Sequence, residues 1–451
     1  TTIGRMTAKH ASQAPEKRDW KYYLQEKVLV IFFLGFSSGL PFPLVYATLS
    51  AWLEDAGIER STISTFAWLG FAYSLKFVWA PLVDSLKLPW LTGIFGRRRA
   101  WMLVAQVSIG ASLLVLAGID PSRDIQAFAI VALAVAFASA TQDIVIDAYR
   151  IESADDDMQG VLAAAYQYGY RISLLISMAG ALYLADYGSW SMTYTAMAGC
   201  MVIGILATLW CREPETSRIA VDYSGDGYAA KMAAWFRHAV ADPFADFFSR
   251  FGPFLFVILL FVSLYRISDY VLGILANPFY LDIGFTKSEI ATVAKIYGTW
   301  MTLIGVGAGG WAVLRYGVAR CLVIATTLIM STNLFFAAMT QVGAEIWMLG
   351  VTITADNIAQ GFGGTVLIAY LSSLTNRDFT ATQYALLSSF MALLPKFLAG
   401  FSGNVQESIG WLGFFLYAAL LGIPAIILAF VVARRHDQLV GDKEIDGPAN
   451  A

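Results

Sequence analysis

The sequence predicts an all-α polytopic membrane protein, with about twelve transmembrane helices in two six-helix bundles. Three observations carry that prediction. The 451-residue chain is 58% hydrophobic and only 14% charged, with a mean hydropathy of +0.61. Soluble domains carry about 25% charged residues, so the deficit points to a lipid environment. Apolar stretches near the ~20 residues needed to cross a bilayer recur along the whole chain, parted by short polar breaks. Finally, the order of local features in the first half returns in the second.

Taken in order, a polar and basic segment 1–27 reads as a cytoplasmic tail, since the apolar stretch after it is too long for a signal-peptide core. The first bundle spans 28–211, with candidate spans at 28–51, 62–84, 99–118, 126–150, 160–186 and 190–211. Residues 212–252 form a polar connection. Within it, Trp235, Phe236, Phe244, Phe247 and Phe248 interleave with Lys231, Arg237 and Arg250, an amphipathic pattern expected to lie flat at the cytoplasmic interface. The second bundle spans 253–434, with stretches at 253–281, 288–314, 319–340, 344–374, 382–407 and 411–433, and 435–451 is a second cytoplasmic tail.

The repeat is readable in local strings. Trp52-Leu53-Glu54-Asp55-Ala56-Gly57-Ile58 is echoed by Phe279-Tyr280-Leu281-Asp282-Ile283-Gly284-Phe285. Ala148-Tyr149, Gln159 and Gly188-Ser189-Trp190 are echoed by Ala369-Tyr370, Gln383 and Gly410-Trp411. Parallel repeats of six spans are the architecture of major facilitator transporters. Of the thirty Lys and Arg residues, about twenty-two fall in the tails and even-numbered loops, which sets both termini in the cytoplasm. The strongest lock is Gly96-Arg97-Arg98-Arg99.

Several function classes drop out. Cys200, Cys211 and Cys321 have neither disulfide nor metal spacing, and His10, His238 and His436 are scattered. No histidine stands by a candidate nucleophile, so neither an enzyme nor a cofactor is expected. Nothing points to nucleic acid. Gly361-Phe362-Gly363-Gly364 lacks the Lys-Ser/Thr of a phosphate loop and reads as close helix packing.

What remains is a set of ionisable residues inside apolar spans, where each needs a partner, a wet cavity or a permeant solute. Ser139, Asp143, Asp147 and Arg150 share one face of the fourth span. Lys76 on the second span lies at about the depth of Asp143, which predicts a Lys76–Asp143 ion pair and a proton-coupling role for both, with Asp147 and Asp269 as further candidates. Arg150 and Asp147 also fit a closed gate on the cytoplasmic side. For substrate, the fifth span offers Gln167, Tyr170 and Arg171, and the seventh Arg266 and Asn277. Arg266 and Asp269 can equally satisfy each other at i,i+3. Tyr46, Gln142, Lys295, Asp356, Asn357 and Lys396 complete the candidate substrate set. Asp84 with Arg97, Arg98 and Arg99 is assigned to topology and gating.

A string of local motifs, in order from about Ile31 to Gly410, resembles the AmpG muropeptide permeases of Gram-negative bacteria, within the major facilitator superfamily. They are Leu34-Gly35-Phe36-Ser37-Ser38-Gly39-Leu40-Pro41, Lys76-Phe77-Val78-Trp79-Ala80-Pro81-Leu82-Val83-Asp84 and Phe95-Gly96-Arg97-Arg98-Arg99. Thr141-Gln142-Asp143-Ile144-Val145-Ile146-Asp147-Ala148, Gly169-Tyr170-Arg171 and Ala381-Thr382-Gln383-Tyr384-Ala385-Leu386-Leu387-Ser388 follow. The resemblance implies proton-driven import of N-acetylglucosaminyl-1,6-anhydro-N-acetylmuramyl peptides across the inner membrane. That serves peptidoglycan recycling and the signalling behind inducible β-lactamase. Asp356 stands where the family usually has Glu, which keeps charge but shortens reach. The expected partners are the muropeptide, protons and lipid, and the expected state is a monomer. Two alternatives stay open: a carrier of another large anion such as acetyl-CoA, and a muropeptide sensor that does not transport.

Overall fold

A computed structural model describes residues 25–155, 158–214, 234 and 237–441. Nearly all of the first tail, the end of the second, and Lys231, Trp235 and Phe236 lie outside the described residues. Among the described residues every regular element is helical.

In the first half, α1 (Glu26–Asp55) is interrupted at Pro41 and Pro43, which supply no N–H to the helix ladder, and again at Tyr46 (φ −128°, ψ −100°). α2 (residues 60–85) is not the continuous helix expected: it contains 3-10 turns at Phe66–Leu69 and Lys76–Val78. α3 (Arg97–Ala117) follows a sharp turn at Gly96 (φ 86°). α4 (Ile125–Glu152) is N-capped by Asp124, whose carboxylate accepts from the Ala127 N–H. α5 (residues 159–187) contains a π turn at Ile176–Gly180, and α6 (Trp190–Trp210) is capped by the Ser189 hydroxyl.

In the second half, α7 (Phe254–Asp282) breaks at Arg266 (φ −115°, ψ 20°), the counterpart of the interruption in α1. α8 (Ile290–Tyr316) opens with a π turn, and α9 (Val318–Val342) and α10 (Ile346–Leu374) are regular. α11 (residues 380–409) and α12 (residues 411–441) are divided by Gly410 at φ 68°, ψ 177°. Among the described residues, eight helices are each long and apolar enough to cross a bilayer; α10 and Arg377–Ala399 qualify as a pair bent by 104°.

The sequence repeat has a structural counterpart. The Trp190 indole N–H donates to Asp55 Oδ2 at 2.8 Å, and that of Trp411 to Asp282 Oδ2 at 3.2 Å. In both halves a glycine of positive φ, Gly57 (75°) or Gly284 (109°), follows the aspartate and ends the helix. An aromatic one turn before each aspartate, Trp52 or Phe279, packs on the tryptophan of its half.

Glycines set the closest helix contacts. A Cβ on Gly35 or Gly169 would overlap the Tyr166 or Phe32 carbonyl between α1 and α5. Gly305 and Gly361 bring α8 and α10 together in the same way, which is what Gly361–Gly364 does in place of phosphate binding. Between the halves, α5 meets α8 and α10, while α11 meets α2 and α4. Both ends of the described chain lie on one side: Lys27 bonds Ser153 beyond α4, and His436 bonds Ser373 near the end of α10. That side, which also carries Gly96–Arg99, is the terminal side below.

In the linker helix Asp242–Phe251, Phe244 and Phe248 face outward, while Phe247 and Phe251 are buried in the second bundle. Arg250 donates to Asp246, to the Leu374 carbonyl and to Gln383 Oε1, so the helix is fastened to the α10–α11 turn.

Candidate substrate and proton site

The interruption in α1 brings Ser38 against α4 and α5. Its hydroxyl donates to Asp143 Oδ1 at 2.5 Å and lies 2.7 Å from the Tyr166 hydroxyl. The ion pair expected between Lys76 and Asp143 is not formed. Lys76 Nζ is instead 3.7 Å from Asp147 Oδ2, one turn nearer the terminal side. Asp147 Oδ1 also meets Arg150 at 3.5 Å. The Arg150 guanidinium is fully buried, donates to Ser372 Oγ on α10 at 2.9 Å, and stacks over Tyr384 of α11. A run of charges thus leads from the middle of the first bundle into the second.

Arg171 on α5 has no ion pair among the described residues and lies within electrostatic reach of Arg266 and Tyr170. Arg266 is held by Asp269, Nε to Oδ2 3.1 Å, the i,i+3 pair that spacing allowed. Gln167 Nε2 reaches Thr365 of α10 at 3.5 Å. Asn277, Lys295 and Lys396 are exposed, and Tyr46 packs at a tilt against Phe42 near Tyr73.

Two expected substrate contacts are occupied elsewhere. Gln142 is fully buried and uses both ends of its amide on Ser37, so it joins α4 to α1. Asn357 accepts from Thr302 and donates to the Ile353 carbonyl, bracing α8 against α10. Asp356 is buried and bonded to neutral partners, Gln360 at 2.8 Å and Thr332 at 3.4 Å. It lies within electrostatic reach of Asp269 and Arg266.

On the terminal side the halves are latched. Asp84 on α2 accepts from the backbone N–H groups of Ala381 (3.3 Å) and Thr382 (2.7 Å) and from the Thr382 hydroxyl (2.8 Å). A carboxylate of one bundle thereby caps the first turn of α11 in the other, the favourable sign for a helix dipole. Behind it, Arg98 is fully buried between Asp84 (2.8 Å) and Glu152 (2.5 Å), and Arg97 bonds the Asp84 carbonyl. Arg99 departs from the gating assignment. It caps the end of α6 through the Thr208 and Leu209 carbonyls. Glu213 reciprocates by accepting from the Arg98 and Arg99 N–H groups at the start of α3, and burial pushes its carboxyl up.

Sequence reasoning missed Glu152, Glu213, Ser38 and Tyr166. Glu152 carried a usable signal, because a buried arginine pair needs a second anion beside Asp84. The hydroxyls carried none.

The Major Facilitator Superfamily model matches residues 28–270. A relative named putative transporter AmpG 4, from Rickettsia felis, is 34% identical over 417 residues, covering 92% of this chain and 98% of that one. A relative named anhydromuropeptide permease, from Escherichia coli K12, is 32% identical over 413 residues, covering 91% of this chain and 80% of that one. The solved structure of the proton:xylose symporter XylE superposes with a TM-score of 0.62 at 14% identity, covering 93% of this chain and 96% of that one, a likeness of fold. The chain belongs to the Major Facilitator Superfamily and, within it, to the AmpG-type transporters.

Proposed function

We propose that this transporter imports N-acetylglucosaminyl-1,6-anhydro-N-acetylmuramyl peptides across the bacterial inner membrane by proton-coupled alternating access. It acts as a monomer with both termini in the cytoplasm. The observation that carries the reading is Arg171, a mid-span guanidinium without a counter-ion among the described residues, in reach of Arg266 from the other half. Arg171 beside an Arg266 that Asp269 already holds leaves a place for a carboxylated ligand, and guanidinium matches carboxylate bidentately. Tyr170, Gln167 and Asn277 supply groups suited to sugar hydroxyls and acetamido groups. The name of the Escherichia coli relative points to the same cargo.

With the terminal side latched through Asp84 and Arg150, the described conformation fits the cytoplasm-closed member of the transport cycle. Asp143 is the proton carrier in this reading, with Lys76, Asp147 and Arg150 relaying its charge state to the latch. Lys295, Lys396 and Tyr46 stay candidates for substrate contact, and Asp356 for a supporting role. The test is uptake of labelled anhydro-disaccharide peptide into right-side-out vesicles, with and without a protonophore. Accumulation that collapses with the protonophore supports symport. Equal equilibration under both conditions reduces the protein to a facilitated-diffusion carrier.

A further inference from the structure

Asp143 sits among groups from four other helices. Lys76 and Tyr73 face it from α2, Tyr166 and Tyr170 from α5, Tyr384 from α11 and Ser38 from α1, with Asp147 on its own helix. Lys76 is the one cation in that set, and its ion pair is with Asp147. The direct hydrogen bond to the Asp143 carboxylate comes from Ser38. A serine hydroxyl has a single proton. If Ser38 gives it to Asp143, the 2.7 Å contact with Tyr166 must be a bond donated by the tyrosine. Ser38 is 1% exposed and Tyr166 9%, so little water competes for either hydroxyl.

The placement of Ser38 makes this pair conditional on backbone geometry. Ser38 ends the first helical segment of α1, Glu26–Gly39, just before the interruption at Pro41. Gly35 and Gly39 lie against the Tyr166 and Tyr170 backbone, so α1 and α5 share a fixed register. Asp143 is on a third helix, α4. Movement of the α1–α5 pair against α4 would remove the donor from Asp143 as a unit, together with the two bonds by which Gln142 joins α4 to Ser37.

We infer that Tyr166 and Ser38 form a two-hydroxyl relay that holds Asp143 charged while α1 and α4 are together and releases it to take up a proton when they part. The inference rests on the reading of Asp143 as the proton carrier. Both are positioning residues: they act through Asp143. No covalent step is involved, only the transfer of a proton to the Asp143 carboxylate from hydronium in the bulk water admitted on the side opposite the latch.

The test uses the full-length transporter in proteoliposomes, with labelled anhydro-disaccharide peptide as probe and external pH as the variable. A hydrogen bond to a charged acceptor is among the stronger ones. Ser38→Ala is therefore expected to move the pH midpoint of proton-driven uptake upward by about one unit. Tyr166→Phe, which removes only the outer donor, is expected to move it the same way by less. Substrate counterflow, which requires no net proton movement, reports whether each variant is folded. If Ser38→Ala shows no counterflow, Tyr166→Phe carries the test alone. A midpoint that stays or falls in a variant with counterflow overturns the relay. Asp143→Asn is run in parallel: if it still concentrates substrate, the carrier reading fails instead.

Discussion

The buried charges of the two bundles are wired differently. In the first bundle, most partners sit on different helices. Ser38 of α1 meets Asp143 of α4, Lys76 of α2 meets Asp147 of α4, and Arg150 of α4 reaches Ser372 of α10. In the second bundle the ion pair and the shortest bond to Asp356 are local, and the contact of Asp356 across helices is the longer one from Thr332 at 3.4 Å. Arg266 and Asp269 are three residues apart on α7, and Gln360 and Asp356 four apart on α10. A local pair survives any rigid-body movement of its helix, whereas a cross-helix pair is made and broken by it. A protonation event can bias two conformations only where its energy differs between them. Under the proposed function, this comparison favours the first bundle for coupling and the second for holding the ligand.

The largest effect that tests the contrast is at Asp143. Asp143→Asn is expected to abolish accumulation against a gradient while preserving part of the substrate exchange, measured as counterflow in vesicles. Accumulation that persists would move the carrier role to Asp147 or Asp269, and in the latter case would reverse the comparison.

Next in size is the latch. Asp84→Asn removes the charge that caps α11 and leaves Arg98 with Glu152 alone. A carboxylate at a helix N-terminus contributes about 1–2 kcal/mol, so the closed-to-open ratio should fall by on the order of five- to thirtyfold. Turnover should slow, and a cysteine placed in the terminal-side half of the cavity should label faster. Unchanged labelling with selective loss of one substrate would put Asp84 in recognition instead.

How far this wiring was legible in the sequence varies with the kind of contact. The spans, the repeat and the Asp84–Arg98 latch follow from hydropathy, local strings and charge placement, all of which survive small errors of register. The Lys76–Asp143 pairing did not, because depth was counted along an ideal helix. α2 contains 3-10 turns at Phe66–Leu69 and Lys76–Val78, so the facing of Lys76 is not that of an ideal helix. Its long stem reaches Asp147, one turn nearer the terminal side. Gln142 failed for another reason: periodicity names a face but not what lies opposite, and here it is Ser37. The broken ends of α1 and α7 were likewise hidden inside continuous apolar stretches.

A smaller effect, confined to affinity, is expected at the cavity cations. Arg171→Lys keeps the charge and loses the planar fork. Binding of the peptide-bearing ligand should weaken on the order of tenfold, and that of the peptide-free anhydro-disaccharide much less. Titration of both ligands decides: equal losses would mean that Arg171 contacts sugar or supports the fold.

The smallest effect should come from Asp269, and it sharpens the comparison most. Asp269→Asn removes the local partner of Arg266 without touching any contact between helices. The freed guanidinium is left beside Arg171, so the site gains positive character toward a carboxylated ligand. Affinity for the peptide-bearing substrate should hold or tighten by about two- to fivefold, within the range of one weakly screened charge. The accumulation ratio under a proton gradient should stay at the wild-type value, since no cross-helix bond has been lost. Both quantities come from the same vesicle preparation, as a substrate titration of initial rates and a steady-state uptake level. A variant that binds normally but no longer concentrates substrate would place proton coupling in the second bundle, and the distinction between local and cross-helix pairs would then not be the one that matters for coupling.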